Sequence, residues 1–252
     1  MNQKISIVTV TFNCKDNIEA TIQSVINQTY NDFEYVIVDG ISKDGTLEII
    51  KKFCENDKRI NYISENDNGI YDAMNKGISI TTGDYIIFLN AGDLLNDDYV
   101  LEEISNYCNN INDVIFGNIT IYNKNTSYKK VINNNIFEEN INLIRKKMIC
   151  HQALICKREL FYQLGKFNLK YKIAADYEWL VNCYINNKKF HYISIIISKY
   201  DDDGVSSSFE NLRTLLAEYE EITLKSFGKL AFIQIKLKNI YSYIVECGKR
   251  VM

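Results

Sequence analysis

Asp93 closes the turn-forming run Asn90-Ala91-Gly92-Asp93, directly after the apolar stretch Ile86-Ile87-Phe88-Leu89. A carboxylate there can hold Mg2+ or Mn2+, hard cations that take oxygen ligands and share them with a diphosphate. Such a cation would act as a Lewis acid on a departing phosphate. The same residue can equally well close an Asx turn. Asp39 also follows an apolar run, Tyr35 to Val38. It can accept a hydrogen bond from a base N–H in an apolar slot, or serve only the turn in Asp39-Gly40. The run Asp67 to Gly77 is rich in polar groups for the front of a helix, and its Asp72 and Asn75, three apart, share a helix face. They can look into a binding crevice, or sit in a solvated first turn where acids suit the helix dipole. Asp176, within Ala174-Ala175-Asp176-Tyr177-Glu178, can take a proton from a nucleophilic hydroxyl, or cap a helix. Of the two histidines, His151 lies in the polar break Cys150-His151-Gln152-Ala153 and can touch substrate or support a base. His191 opens an apolar strand and reads as a structural residue.

These residues need elements that bring them together. β-Branched or apolar runs at residues 5–12, 35–38, 60–63 and 85–89 alternate with helical periodicity, which predicts parallel pairing in an open α/β sheet. In such sheets ligands bind beyond the carboxyl ends of the strands. Asn13, Asp39-Gly40 and the Asn90–Asp93 run all fall at such ends and can share one crevice. Further on, a strand is expected at 114–121, a helix or lid at 136–147, helices near 158–164 and 176–186, and a strand at 190–198. A loop is expected at Asp201-Asp202-Asp203-Gly204, and two amphipathic helices follow residue 209. The expected organisation is a catalytic domain over 1–208 and a helical appendage over 209–252.

Composition excludes several classes. A formal net charge of −3 speaks against a nucleic-acid binder. The seven cysteines are scattered without metal-ligand spacing, which suits reduced thiols in a cytosol better than zinc or a disulfide framework. No GxGxxG follows a strand, which disfavours NAD chemistry. Phe12-Asn13-Cys14-Lys15 lacks the Gly-rich basic loop of a nucleotidylyltransferase. No apolar stretch approaches a bilayer span, and the first 13 residues lack a signal-peptide layout. Residues 225–252 carry six Lys or Arg against one Glu. Lys225, Lys229 and Lys236 are expected on one helical face beside an apolar stripe. That suits an interfacial helix on anionic lipid, or a core helix with a solvated basic edge.

In their order and spacing, these segments resemble the family 2 glycosyltransferases with the GT-A fold. The likeness covers roughly residues 4–205. It rests on Ser6 to Asn13 as the first strand, Asp39-Gly40-Ile41-Ser42-Lys43-Asp44-Gly45-Thr46, Gly83 to Asp93, and Ala175-Asp176-Tyr177-Glu178. Asp67 to Gly77, His151-Gln152 and Gly204-Val205-Ser206 are similar to a branch associated with bacterial exopolysaccharide, capsule and O-antigen assembly. The resemblance implies a Rossmann-like, mostly parallel sheet flanked by helices, and single displacement with inversion from a nucleotide-diphosphate sugar, a UDP-sugar by preference. It puts Val10, Phe12, Asn13, Asp39, Asp67, Gly69, Asp72, Asn75, Asn90, Ala91 and Gly92 on the donor. Asp93 would hold Mn2+ or Mg2+, Asp176 would be the base, and His151 and Gln152 would face or support the acceptor. That acceptor would be a saccharide, such as one linked to polyprenyl diphosphate, met by a cytoplasmic protein at the inner membrane face. Two departures stand against the pattern: the metal motif reads Asn90-Ala91-Gly92-Asp93, so the acids common at its first and third positions are absent and Asp93 stands alone, and Ala175 replaces a frequent Glu. The thin motif keeps open a non-catalytic nucleotide-sugar-binding subunit as the alternative.

Overall fold

A computed structural model describes residues 3–122, 129–201 and 209–251, with side chains described except at 201, 209–210 and 241–251. β1 (Ile5–Thr11) and β2 (Phe33–Asp39) are buried at every position, as parallel strands covered on both faces must be. α1 (Lys15–Ile26), α2 (Thr46–Asn56) and α3 (Ile70–Ile80) provide that cover, alternating with β3 (Ile60–Ser64) and β4 (Tyr85–Phe88). Ile5, Ile7, Tyr35 and Ile37 pack with Ile18, Ile22 and Ile50 on one face. Val8, Val10, Val36 and Val38 pack with Tyr71 and Met74 on the other.

The described residues form a nine-stranded sheet in the order β3-β2-β1-β4-β8-β6-β9-β5, with β7 paired to β6. The first four strands are parallel, as the alternation predicts. Beyond them the sheet is mixed. β8 (Leu154–Lys157) slots antiparallel between β4 and β6 (Val114–Tyr122), because the chain enters it from a 3-10 turn at His151–Ala153 and not from a crossover helix. β9 (Phe190–Asp201) runs parallel to β6, and the unforeseen short strands β5 (Leu94–Leu95) and β7 (Lys129–Ile132) add antiparallel edges. α4 (Val100–Ser105) starts later than Asp97-Asp98. The expected lid at 136–147 divides into α5 (Asn135–Glu139) and a 3-10 turn at Ile141–Arg145. The Asp202–Gly204 loop and Val205-Ser206 lie outside the described residues.

α6 (Leu160–Gln163) and α7 (Ala175–Ile185) precede α8 (Phe209–Val251), which bends at Gly228, where φ is 79° and ψ is −176°. Those angles interrupt the helix, and glycine adopts the positive φ without steric penalty. Before the bend, Ile222 is buried in the same cluster as Trp179 and Tyr177, with Leu215 and Tyr219 packed against it. The bend also corrects the expected alignment of lysines. Lys225 lies before it and pairs with Glu221 at 2.6 Å, whereas Lys229 and Lys236 lie after it. Among the described residues no helix is long and apolar enough to cross a membrane.

Glu34 ties the parallel strands together at their amino ends. It accepts from Ser6 Oγ at 2.6 Å, Thr82 Oγ1 at 2.8 Å, Gly83 N at 2.9 Å and Lys4 Nζ at 3.1 Å. Burial pushes its carboxyl up, but the hydrogen bonds from Ser6, Thr82 and Gly83 outweigh this and bring its pKa from 4.5 to about 2. A folded pKa below the unfolded one gives stability that is present at neutral pH and lost as pH falls through that window. Urea midpoints of the wild type should therefore decline between pH 4.5 and about 2. Glu34→Gln should be less stable at neutral pH and show a shallower decline.

Candidate active site

The strand order reverses at β1, since β2 and β3 lie to one side and β4 to the other. A crevice opens beyond the carboxyl ends of strands at such a point. There the loops after β1 and β2 are laced together. Asn13, with a φ of 51°, donates its N–H to Ser42 Oγ at 2.8 Å and accepts from Lys43 N at 2.9 Å through Oδ1. A cavity of about 450 Å³ results, lined by Phe12, Asn13, Gly40, Ile41, Lys43 and Asn66. Phe12 is 62% exposed at its mouth, while Val10 beneath is core.

Asp39 is fully buried, and its Oδ2 accepts from Ser64 Oγ at 2.6 Å and Ser42 N at 3.1 Å. Asp67 stands closer to the cavity. A Cβ on Gly40 would meet Asp67 Oδ2 at 2.7 Å and the Phe12 ring at 3.3 Å, so only glycine lets carboxylate and ring approach so closely. Asp67 Oδ1 accepts from Gly69 N at 2.9 Å. Asp72 accepts from Asn68 N at 2.9 Å, bracing the start of α3. Asn75 uses both ends of its amide on the Phe167 backbone, at 2.8 and 2.9 Å, and so clasps a loop.

A second cluster lies beyond β4. Ala91 N donates to Val10 O at 3.2 Å, and Gly92, with a φ of 101°, donates its N–H to Thr21 Oγ1 at 2.9 Å. Asp93 is 7% exposed, and its Oδ2 accepts from Asn90 N and Gln152 Nε2, each at 3.2 Å. Asn90 Nδ2 lies 3.0 Å from His151 Nε2, and His151 Nδ1 lies 2.9 Å from Asp176 Oδ2. With Nδ1–H donating to the carboxylate, Nε2 accepts from the Asn90 amide. Asn90 Oδ1 is then buried with no hydrogen-bond partner, and an orphaned buried acceptor of this kind points to a ligand.

Asp176 follows the α7 cap position, Ala174. Its Oδ1 accepts from Tyr177 N at 2.9 Å and lies 2.8 Å from the Tyr71 hydroxyl, which is also 2.6 Å from Ile173 O. Burial first, and then the Asp176 charge, raise the Tyr71 and Tyr219 phenols well above their usual range and push the Cys150 thiol to about 12. These neighbours therefore keep their protons at neutral pH.

Asp93 offers carboxylate oxygens of the kind a hard cation takes, and Asn90 Oδ1 is a further oxygen in the same turn. Among the described residues no group of three His, Cys, Asp or Glu could hold a metal, so the protein alone does not complete a cation's coordination here. His191 packs at a tilt against Tyr107 with ring centroids 5.3 Å apart. A larger cavity of about 560 Å³, by residues 137–142 and 184–192, contains none of the residues singled out from the sequence for donor, metal or proton transfer.

Two participants escaped sequence reasoning. Tyr71 reaches Asp176 across 105 positions. Glu218, from α8, accepts the N–H groups of Lys172 at 2.7 Å, Ile173 at 3.0 Å and Ala174 at 2.8 Å, fixing the segment that leads into α7. A Gly-Ile-Tyr-Asp run could have drawn attention to Tyr71, but nothing local marks Glu218.

Comparison with known proteins gives a consistent picture. The family model described as Glycosyl transferase family 2 matches residues 6–167. A PGL/p-HBAD biosynthesis glycosyltransferase of Mycobacterium tuberculosis is 31% identical over 203 residues, covering 79% of this chain and 77% of the relative. Staphylococcus aureus TarS, solved with UDP-GlcNAc, superposes with a TM-score of 0.69 at 17% identity over 94% of this chain and 71% of its own. The Pyrobaculum calidifontis mannosyltransferase PcManGT, solved with GDP-Man and Mn2+, gives 0.72 at 14% identity, covering 98% and 74%. At these identities the two structures speak for the fold, which is GT-A.

Removing Glu218 would leave three N–H groups without their charged acceptor. Glu218→Ala should lower unfolding free energy by about 1.5–3 kcal/mol in denaturant titrations. An unchanged midpoint would show that the contact contributes nothing.

Proposed function

The chain belongs to glycosyl transferase family 2, and from that premise we propose that it moves a sugar, with inversion, from a UDP-sugar to a hydroxyl of a lipid-linked saccharide in bacterial surface-glycan assembly. The observation that carries this reading is the Asp176–His151–Asn90 relay beside Asp93, at the point where the strand order reverses. UDP as the carrier is supported by the likeness to TarS, a protein solved with UDP-GlcNAc.

The nucleobase stacks on Phe12 and gives its N–H to Asp67, while Asp39 holds the Ser42 and Ser64 turns beneath. Lys43, lining the same cavity, attracts the diphosphate. Asp93 and Asn90 Oδ1 would hold a divalent cation, whose charge would offset that of the leaving nucleotide diphosphate. Asp176 takes the acceptor's proton as the new bond forms to the anomeric carbon and the bond to the diphosphate oxygen breaks. Tyr71 suits both protonation states. Its one proton serves Asp176 while the carboxylate is charged, then turns to Ile173 O when Asp176 becomes a donor.

One observation favours a second assignment of the proton. Asp176 is 4% exposed and both of its oxygens already have partners. In that assignment His151 Nε2 receives the proton and Asp176 orients the ring. A nucleotide-sugar-binding subunit without catalysis is the remaining alternative.

Asp176→Asn should abolish transfer and leave donor binding within about twofold by calorimetry; retained turnover would remove Asp176 from either role. His151→Asn should cost about tenfold in kcat if Asp176 is the base, and at least about a hundredfold if the imidazole is. Melting temperature measured against UDP-, GDP- and dTDP-sugars with and without Mn2+ should rise with one UDP-sugar and the cation together. Asp93→Ala should erase the metal-dependent part of that rise. A metal response unchanged in this variant would place the cation elsewhere, and donor binding without transfer or hydrolysis would favour the binding subunit.

A further inference from the structure

After Gly228, α8 has two apolar faces. Ile235 and Asn239, 3% and 4% exposed, point inward, and the Asn239 amide donates to Leu216 O at 3.3 Å. Leu230, Ile233, Leu237 and Ile240 are 73%, 53%, 64% and 49% exposed. At 3.6 residues per turn these four fall within an arc of about 80° on the side opposite the packed face. Large aliphatic side chains held in water in a continuous row mark a surface that something covers.

The charge around this row is one-sided. Lys229 and Lys236 flank it, and Lys238 donates to Lys146 O at 2.9 Å, bringing the exposed Lys146 and Lys147 alongside. Among the described residues none of these five lysines makes an ion pair. Glu220, the acid nearest in the hydrogen-bond network, is engaged by Asn239 on the inner side. Burial, and then the charge of Lys147, lower the pKa of Lys238, so the positive groups are close enough to act on one another. Residues 229–252 hold five Lys or Arg against one Glu, in a chain of net charge −3.

We propose that the outward face of residues 229–240, with Lys146 and Lys147, docks on the anionic headgroups of a lipid bilayer, the four aliphatic side chains entering the headgroup–acyl boundary. A second copy of the chain fits this face poorly, because self-pairing would bring like-charged borders together. Nucleic acid would use the lysines but leave the aliphatic row in water. The inference stands apart from the sugar-transfer reading, since none of these residues belongs to the nucleotide or proton-transfer groups.

Flotation of the full chain with phosphatidylcholine vesicles, with and without phosphatidylglycerol, tests the proposal. The wild type should float only with the anionic vesicles, and less at high salt. Each lysine near an anionic surface strengthens binding about fivefold, so joint replacement of Lys146, Lys147, Lys229 and Lys236 by Gln should weaken it by at least about a hundredfold. Leu230→Ser with Leu237→Ser should abolish flotation and leave the melting temperature unchanged. Failure of the wild type to float with anionic vesicles, or equal flotation of both variants, would overturn the proposal. A wild-type dimer by light scattering that the serine pair dissociates would give the face to a second copy instead.

Discussion

Helices cover both faces of β1 and β2, so the charged side chains of these two strands are confined to their ends. A charged group placed along the sheet would lose its hydration without gaining a partner, which costs several kcal/mol. At the carboxyl ends the chain must turn, backbone groups are free to bond, and side chains can meet across strands distant in sequence. Asn13, Asp39 and Asp93 all stand there. At the opposite ends of the same strands the single buried acid, Glu34, is saturated by hydrogen bonds and serves cohesion only. The two ends of one sheet thus separate stability from reactivity.

The first four strands and their terminal acids were legible because their signals are local: short β-branched runs, helical periodicity and turn residues at fixed offsets. What the sequence concealed depends on distance. Asp176 was placed at a helix start by its neighbours, but its hydrogen bonds come from Tyr71, His151 and Tyr177, two of them far away in the chain. Asp72 and Asn75 share a helix face as their spacing requires, yet they turn to different loops, Asn68 and Phe167. Asp39 accepts from Ser64 on the next strand, whereas Asp67 lies against Gly40, which lines the cavity. The lysines fall out of line for a simpler reason: Gly228 breaks the helix between Lys225 and Lys229.

Around Asp176 and His151 the neighbouring acidic groups hold their protons. Phenols and a thiol surround the carboxylate and imidazole, and burial holds their protons in place. The Tyr71 hydroxyl can therefore bond to the Asp176 carboxylate without giving up its proton. In the chain from Asp176 through His151 to Asn90, the Asn90 Oδ1 atom is left without a hydrogen-bond partner.

Gly228 divides α8 into portions with different obligations. Glu218, Tyr219 and Ile222 all precede it and are bound to the framework of α7. The outward row follows it, oriented by the backbone angles of one residue. The outward side chains Leu230, Ile233 and Leu237 can thus change with the framework before the bend untouched, whereas Ile235 and Asn239 on the inner face stay tied to it. A graft joined at residue 208 would instead carry away the carboxylate that steadies the front of α7.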